Sequence, residues 1–583
     1  MSSLVALARR ARARADAWDA ASLARALART LRARSDVVSA GDARGTVDDG
    51  RASAAEILAR ARRARRSRDA ERGVDGSWET SRRARERAVA RGDGFAYDGE
   101  RVRARASAEL NEEITSARTV EEILEHVRTR SHLYNRVNCA TAWHRLGKTH
   151  RATGRGVRWR EDERVGELEA TTRRLLPSFA VQNLSNIAWA CAVLKYRPSW
   201  DLLGSIADRA EQLVSEFYPQ ALTNMLWAFT VLKHPRTRKL AEILAPAILD
   251  HLPSPDEDLQ PAELAQGGMF STQTVSNTLW TYASMGVHPG AELLDRLSAF
   301  IIKGAANFKA QELSNSCWAY AQFGHHPGDE TLRTFERSLL ERREEYTTQA
   351  LANTSIGLAF FGGSEDGGLR ELFNNVPPSF YRLSEGNSQD ISNIIWSIAS
   401  VGAFESKVYK AAVRELFRRD LTDFQPEGLK MLFHSRMLQH DFDPNLAVVD
   451  VVYPDWVAEK GREPWLQQTV DTRVSTFQQQ VLETVRKAGY EPTMEQLTED
   501  GLMSMDICLL DSKIAIECDG PSHYYSNFTE RLTQKTRLRD KQLEVRGWKV
   551  VTIPYFEWAV CYTAGELETK AYVHGKLRAV LGT

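Results

Sequence analysis

The sequence is poor in cysteine and has no long apolar segment. Its six cysteines are scattered over 583 residues, without the Cys-x-x-Cys pairs that bind zinc or the dense spacing of a disulfide scaffold. They are Cys139, Cys191, Cys317, Cys508, Cys518 and Cys561. We therefore expect free thiols in a reducing compartment. No apolar run approaches the roughly 20 residues that a membrane-spanning helix needs, so no membrane span is predicted.

The sequence also lacks a net charge. Its 77 Lys and Arg residues are balanced by 77 Asp and Glu residues, which excludes a global basic field as an argument for nucleic-acid binding. Any such binding would have to come from a local surface. The chain is too long for one hydrophobic core, and three or four folding units are expected.

Arginine is concentrated at the amino terminus. The first 34 residues contain eight arginines among alanines and leucines, against only Asp16 and Asp19. This composition is typical of an organelle transit peptide, although a GC-rich genome would also enrich Ala and Arg. The low apolar periodicity continues to Arg105, so residues 1–105 are predicted to be a transit peptide followed by a disordered segment. The remainder of the chain is net acidic.

A block of the form Gln-x-apolar-x-Asn-x-x-Trp recurs six times, with Ile356 replacing Trp in the fifth copy. The blocks begin at Gln182, Gln220, Gln273, Gln311, Gln349 and Gln389. Their asparagines are spaced by 38, 53, 38, 38 and 40 residues, and the long step contains a Pro- and acid-rich insert at 253–268. A period near 38 residues with one insertion predicts a solenoid of stacked helical hairpins.

Each block has the pattern of an amphipathic helix. In the first block, Leu184, Ile187 and Cys191 fall at positions i, i+3 and i+7, and a breaker and a second amphipathic stretch follow. We interpret the recurring Trp as core between hairpins, with base stacking as the less favoured alternative. We interpret the recurring Asn as a side-chain clamp on a neighbouring loop or helix.

The block resembles the octotricopeptide repeat of organellar RNA-binding proteins and the helical region of the FAST-kinase-like family. The resemblance implies a mainly α-helical fold, with helical repeats over 170–450 and an amino-terminal helical region at 106–169. Residues 141–148 are similar to the degenerate helix that precedes such repeats. Gln425 and Leu429 predict a last, imperfect copy.

One position varies between blocks while its neighbours are constant. In proteins that recognise one RNA base per repeat, the side chains that contact the bases vary between repeats in this way. The residue after each Gln is therefore a candidate RNA-binding position, and an ordinary solvent-facing position is the equally weighted alternative. These residues are Asn183, Ala221, Thr274, Glu312, Ala350 and Asp390.

The pattern changes near the carboxy terminus to short strands and helices. Strands are predicted at 505–510, 514–519 and 548–553, with a helix at 476–487 and a charged helix at about 530–546. The segments 514–523 and 551–558, with Lys535, Leu543 and Gly547, resemble the RAP domain. The resemblance implies a small α/β domain over 475–575, after a linker at 451–474 and before a tail at 576–583. It also implies RNA binding and a fold similar to very-short-patch-repair and restriction endonucleases.

Two carboxylates of this domain suggest a metal-dependent nuclease. Asp506 and Glu517 on adjacent strands are candidate ligands for Mg²⁺, the only cofactor considered. Asp519, His523 and Lys535 are the further candidate catalytic residues. The restriction-type pattern places Lys two residues after the Glu, where this chain has Asp519. An inherited, inactive carboxylate pair is the favoured alternative.

Basic and aromatic residues adjoin this carboxylate pair and could hold phosphates and stack on unpaired bases. The candidate RNA-binding residues here are Tyr524, Tyr525, Arg531, Lys535, Arg537 and Arg539. The leading hypothesis is a protein of the mitochondrial matrix or chloroplast stroma that binds single-stranded organellar RNA for processing, stability or translation of mRNA or rRNA. A metal-dependent endoribonuclease and a protein-binding scaffold that contacts other ribonucleoprotein components are the alternatives.

Overall fold

The computed structural model describes residues 94–153, 161–198, 200–252, 270–364, 368–443, 451–470 and 474–582. The predicted transit peptide therefore lies outside the described residues, as does the insert at 253–268. The first helix begins at Gly94, inside the segment that we expected to lack structure. The chain forms two compact units that divide at Leu293 and Leu294. We call their described parts, 94–293 and 294–582, the amino-terminal unit and the carboxy-terminal unit.

The amino-terminal unit is built from helices. Their bounds are α1 Gly94–Ser116, α2 Val120–Arg130, α3 Arg136–Thr153, α4 Glu163–Leu175, α5 Val181–Val193, α6 Trp200–Gln212, α7 Pro219–Leu232, α8 Thr237–His251 and α9 Thr272–Met285. Side-chain caps start several of them, as where Ser271 accepts a hydrogen bond from the Thr274 amide. The αL residue Gly286 ends α9.

The helices alternate between two rows, as the repeat predicts. The first helices of successive hairpins, α3, α5, α7 and α9, pack side by side. Small residues permit this close approach: a Cβ at Gly147 of α3 would lie 3.3 Å from the Ala190 Cα of α5. The apolar positions predicted from the first block are buried, including Leu184, Ile187 and Cys191.

The carboxy-terminal unit continues the hairpins. Its helices are α10 Ala291–Gly304, whose first residues belong to the other unit, α11 Ala310–Phe323, α12 Asp329–Glu341, α13 Thr348–Phe361, α14 Gly368–Asn375, α15 Ser388–Ser400, α16 Lys407–Leu416, α17 Pro426–Phe442 and α18 Asp455–Val470. The first helices α11, α13, α15 and α17 again pack in a row. Gly357 of α13 is needed there, because a Cβ would lie 2.7 Å from the Cys317 Sγ of α11.

A small α/β domain ends this unit. It contains α19 Thr476–Lys487, β1 Thr493–Leu497, β2 Ser504–Leu509, β3 Ile514–Asp519, α20 Gln534–Val545, β4 Lys549–Pro554, α21 Tyr555–Ala564 and α22 Glu566–Leu581. The sheet order is β1-β2-β3-β4. The first two pairs are antiparallel, whereas β3 and β4 are parallel, with Glu517 opposite Thr552. Helix α20 makes the crossover between the parallel strands.

The two faces of this sheet have different partners. One face forms the core with α19, α21 and α22, through Ile507, Ile516 and Trp558. The other face packs Cys508 and Ala515 into a cluster that also contains Phe433 and Met437 of α17. The last repeat helix therefore completes the core of the small domain.

Three features of the carboxy-terminal unit differ from the prediction. Strand β1 was not predicted, because its sequence, TMEQL, lacks an apolar alternation. The expected linker at 451–474 contains α18, whose Trp465 donates to the Leu502 carbonyl at 2.7 Å. The expected tail at 576–583 is largely the end of α22. No helix among the described residues has the length and apolarity to cross a membrane.

Candidate functional sites

A buried ion cluster lies where β3 ends. Glu517 and Asp519 are two residues apart on this strand and therefore point to the same face. Arg539 of α20 reaches both carboxylates: its Nη1 lies 3.0 Å from Glu517 Oε2, and its Nη2 lies 3.0 Å from Asp519 Oδ1. The same guanidinium contacts Asp540 Oδ1 at 2.6 Å. One arginine thus binds three carboxylates.

The other predicted catalytic residues are arranged around this cluster. His523 Nδ1 lies 2.9 Å from Asp519 Oδ1. One oxygen of Asp506 accepts a hydrogen bond from the Cys518 amide at 2.9 Å. Lys535 is exposed in the first turn of α20. The structure therefore brings His523, Glu517 and Asp519 together, whereas Asp506 is engaged with the backbone of β3.

The cluster contains more negative than positive charge. Glu517 and Asp519 are 2% and 0% exposed, and each keeps one buried oxygen with no hydrogen-bond partner among the described residues. Burial raises the pKa of Glu517 well above its usual value, and it also raises the pKa of Asp540. Burial acts in the same direction on Asp519, but the hydrogen bond from His523 and the charge of Arg539 outweigh it and lower the pKa of that carboxyl.

The residues of this site do not fit a resident metal ion as they are arranged. The guanidinium of Arg539 lies against the Glu517 and Asp519 oxygens that would bind a cation. Within the described ranges, no group of three or more His, Cys, Asp or Glu side chains is placed to hold a metal ion. Metal binding by Asp506 and Glu517 stays a prediction from the sequence.

The aromatic residues proposed to stack on bases are buried. Tyr525 is 1% exposed, and its ring packs against Phe361 and His326 at centroid distances of 5.5 and 5.2 Å. Tyr524 packs on Phe556 at 5.5 Å. Tyr525 therefore joins the small domain to α13, and base stacking by either ring would require it to leave these contacts.

Most of the predicted basic rim has intramolecular partners as well. Arg537 donates to the Phe361 carbonyl at 3.1 Å, and Arg531 lies 3.7 Å from Asp329. Arg539 is the centre of the ion cluster. The charge of Lys535 acts on His434 of α17, whose pKa is lowered to about 4, mainly by burial. The domain contacts the repeats through this surface.

The variable repeat position lies at the third residue of each first helix. All of these side chains except Asn183 are buried. The polar ones cap their own helices: Glu312 accepts from the Lys309 amide and Asp390 from the Asn387 amide, each at 3.0 Å. Asn183 accepts from the Ala180 amide at 3.1 Å. Base recognition by this column stays a prediction, and these side chains would have to give up their caps to perform it.

The constant residues of the repeat form the accessible surface instead. Gln, Asn and Trp stand at helix positions 2, 6 and 9, a spacing of four and three residues that places them on one face. We call this surface the amide–indole face. In α5, α7, α9 and α11 the Gln is exposed and the Asn and Trp are partly exposed. The indoles are therefore not fully buried as predicted, because their helix face points away from the second row.

The predicted clamp by Asn is absent from five repeats. Of the six repeat asparagines, only Asn393 has a side-chain hydrogen bond to another described residue, which it accepts from Gln389 Nε2 at 2.8 Å. The other five amides keep their donors and acceptors available: Asn186, Asn224, Asn277, Asn315 and Asn353.

Two histidines extend the Trp column, which the sequence motif did not indicate. His144 occupies position 9 of α3, and its ring lies 5.2 Å from that of Trp189. His434 occupies position 9 of α17 and accepts a hydrogen bond from Trp396 Nε1 at 3.1 Å. The last copy is thus two residues out of register with the prediction from Gln425, which is the N-cap of α17. Both histidines are recognised as members of the Trp column by their position in the helix and not by their residue type.

Comparison with known proteins defines the class of the carboxy-terminal domain. Residues 516–576 match the model of the RAP domain family, and the chain therefore carries a RAP domain. A RAP domain-containing protein, chloroplastic, of Oryza sativa subsp. japonica is 27% identical over 199 residues. The match covers 33% of this chain and 29% of that relative.

Proposed function

We propose that the protein binds organellar RNA and acts in the processing, stability or translation of mitochondrial or chloroplast transcripts. The observation that carries this proposal is the RAP domain at residues 516–576. Its core includes Phe433 and Met437 of the last repeat helix, so the domain and the repeats of the carboxy-terminal unit act as one body. A helical-repeat surface attached to this domain suits an extended RNA strand.

The compartment is a finer part of the same proposal. The related rice protein is named as chloroplastic, and the Arg-rich, acid-poor amino terminus has the composition of an organelle transit peptide. Both features support an organelle. Fusing a fluorescent protein to the carboxy terminus of the full chain would decide between chloroplast and mitochondrion, and a cytosolic signal would contradict both.

We also propose that the protein binds RNA without cutting it. Arg539 pairs with Glu517, one of the two carboxylates predicted to bind a metal ion, and a nuclease of this type needs an open metal position to activate water. The test incubates the full chain with RNA and Mg²⁺ or Mn²⁺, beside Asp506→Asn and Glu517→Gln variants. Metal-dependent cleavage by the parent that both substitutions abolish would establish an endoribonuclease.

The main test of RNA binding is crosslinking in cells followed by sequencing of the RNA attached to the protein. We expect enrichment of organellar transcripts. The purified chain should also bind single-stranded RNA more tightly than duplex DNA, because stacking and contacts to base edges need unpaired bases. Recovery of organellar proteins without crosslinked RNA would favour a protein scaffold instead.

A further inference from the structure

Acidic residues are absent from four adjacent first helices of the amino-terminal unit. Helices α3, α5, α7 and α9 contain no Asp or Glu, whereas the second-row helices contain residues such as Glu163, Asp201 and Asp208. The chain as a whole has equal numbers of acidic and basic residues. The two charge types are therefore segregated, and the first row is the side that an anionic ligand can approach without repulsion.

This row also presents polar and aromatic groups that the fold does not use. The side chains of Asn186, Asn224 and Asn277 make no hydrogen bond to other described residues. Trp227 and Trp280 likewise remain partly exposed, and their indole nitrogens have no partner among those residues. Amides that can both donate and accept, alternating with indoles, match the edges and faces of unpaired bases.

Two lysines stand where other repeats use glycine. The first or second residue after the first helix has a left-handed conformation in successive repeats. It is glycine in four of them: Gly286, Gly324, Gly362 and Gly402. Lys195 and Lys233 occupy the same position after α5 and α7, with φ of 51° and 55°. Residues with a Cβ are disfavoured there, so these lysines are retained at a conformational cost that glycine would avoid.

The lysines are available to a ligand. Lys195 and Lys233 are exposed at the carboxyl ends of neighbouring helices, and neither forms an ion pair with a described residue. Lys148, four residues after His144 on α3, is exposed as well. Three ammonium groups that form no ion pair with a described residue thus border the four helices without acidic residues, which is the arrangement expected for phosphate contacts.

From these features we infer that the first row of the amino-terminal unit is a binding surface for single-stranded RNA. The amide–indole face of α5, α7 and α9 contacts the bases, and Lys148, Lys195 and Lys233 contact the phosphates. Because the contacting side chains are the same in each repeat, this surface holds the strand with little preference for base identity. The inference rests on the proposed function and assigns its RNA contact to one unit.

The test replaces the two left-handed lysines together, as Lys195→Gly and Lys233→Gly in the full chain. Glycine suits the backbone at both positions, so folding should be retained, as circular dichroism and thermal melting would verify. Binding of a short fluorescein-labelled single-stranded RNA would be followed by anisotropy at several salt concentrations. Two lost phosphate contacts should lower the slope of log K against log salt by about 1.4 and weaken binding roughly tenfold near physiological salt.

A matched control changes the same amount of charge in the second row. Arg238→Gln and Lys239→Gln lie on α8, are exposed and also remove two positive charges. This control should keep the parental affinity and salt slope. A second test pair, Asn224→Asp and Asn277→Asp, keeps side-chain size and adds negative charge to the face, and it should weaken binding at least as much as the glycine pair.

The outcomes separate the two levels of the proposal. If the parent binds RNA and both test pairs bind as tightly, the surface is misassigned while RNA binding stands. If the second-row control weakens binding as much as the glycine pair, the effect is a general loss of charge and the inference fails. If the parent binds no RNA, the proposed function itself fails.

Discussion

The two units carry the same repeat motif, yet its residues have different partners. In the amino-terminal unit, Asn224 and Trp227 have no hydrogen-bond partner among the described residues. Asn315 and Asn353 of the carboxy-terminal unit are likewise without a partner among those residues, but in α15 Trp396 donates to His434 and Asn393 accepts from Gln389. The motif therefore does not prescribe a structural role. The neighbouring helices decide whether the side chains of the motif have hydrogen-bond partners.

The RAP domain is a second difference between the units. It contacts the carboxyl ends of three first helices: the Ser526 amide donates to the Gly324 carbonyl, Tyr525 packs on Phe361, and Gln534 donates to the Ser400 carbonyl. A Cβ at Gly362 would lie 2.9 Å from Gln534 Oε1. A side chain at Gly362 would displace Gln534 of the RAP domain, whereas the amino-terminal unit has Lys195 and Lys233 at the corresponding ends of its helices.

The largest expected effect concerns the ion cluster, which only the carboxy-terminal unit has. Arg539→Gln should lower the free energy of unfolding by about 3 to 5 kcal/mol, because it leaves Glu517, Asp519 and Asp540 buried without a countercharge. Urea unfolding would measure the loss. Hydrogen exchange should place it in residues 294–582 and leave the amino-terminal unit unchanged. The control, Arg578→Gln, removes an exposed arginine of α22 and should change little.

The stability lost in the Arg539→Gln variant should depend on pH. The pKa values of Glu517 and Asp540 are raised in the folded protein, so the folded state keeps these protons at pH values where the unfolded chain releases them. Their contribution to stability is complete below the usual carboxyl pKa and is lost as pH rises through the raised values. The deficit of Arg539→Gln should therefore shrink as the pH is lowered. An equal deficit at all pH values would show that packing, not charge, is what the arginine supplies.

A second variant separates the RAP domain from the repeats. Tyr525→Ala removes a ring that is 1% exposed, and the lost packing should reduce stability by about 3 kcal/mol. Thermal melting would measure this, with Phe417→Ala as control because that ring is 61% exposed. If the amino-terminal unit holds the RNA, a chain that is still folded should keep most of its affinity. A proportionate loss of RNA binding would place the contact at the RAP interface.

Sequence patterns predicted most of this fold because periodicity reports burial. The repeat period gave the hairpins, and the apolar positions of α5 are buried as expected. The prediction of the strands β2, β3 and β4 rested on the same principle. Strand β1 and helix α18 could not be predicted this way, because Trp465 and the half-buried residues of β1 are placed by tertiary contacts with no periodic signal.

The residue pattern says less about the candidate sites than about the fold, because it does not reveal which side chains already have hydrogen-bond partners. Because Trp and Asn are constant in the repeat, we predicted that Trp is buried in the core and that Asn holds a neighbouring loop or helix. Both instead lie on an accessible face of their helices. Variation after each Gln indicated a ligand contact, but Glu312 and Asp390 cap their helices. Phosphate binding by Arg539 stays a prediction, and in the structure this arginine is paired with Glu517.

A third prediction compares equivalent tryptophans in the two units. Trp227→Ala should weaken binding of single-stranded RNA by about 1 to 3 kcal/mol, the value of one stacked base. Trp396→Ala should instead act mainly on stability, since its indole is bonded to His434. Anisotropy and thermal melting on both variants would measure the two effects. A Trp227→Ala variant that loses stability and keeps its affinity would return this indole to a core role.

The smallest expected effect is the strain of a lysine in the left-handed position. Gly402 has φ of 68°, and no atom lies within 4 Å of the Cβ that a substitution would add. Gly402→Lys therefore tests the backbone alone and should reduce stability by about 1 kcal/mol. The helix dipole favours a cation at this end and offsets part of that loss. Gly362→Lys is the contrasting variant, because it adds a clash with Gln534 to the same strain and should be clearly worse. If Gly402→Lys costs nothing measurable, then Lys195 and Lys233 are under no strain, and their presence in place of glycine no longer argues for a ligand at the amino-terminal unit.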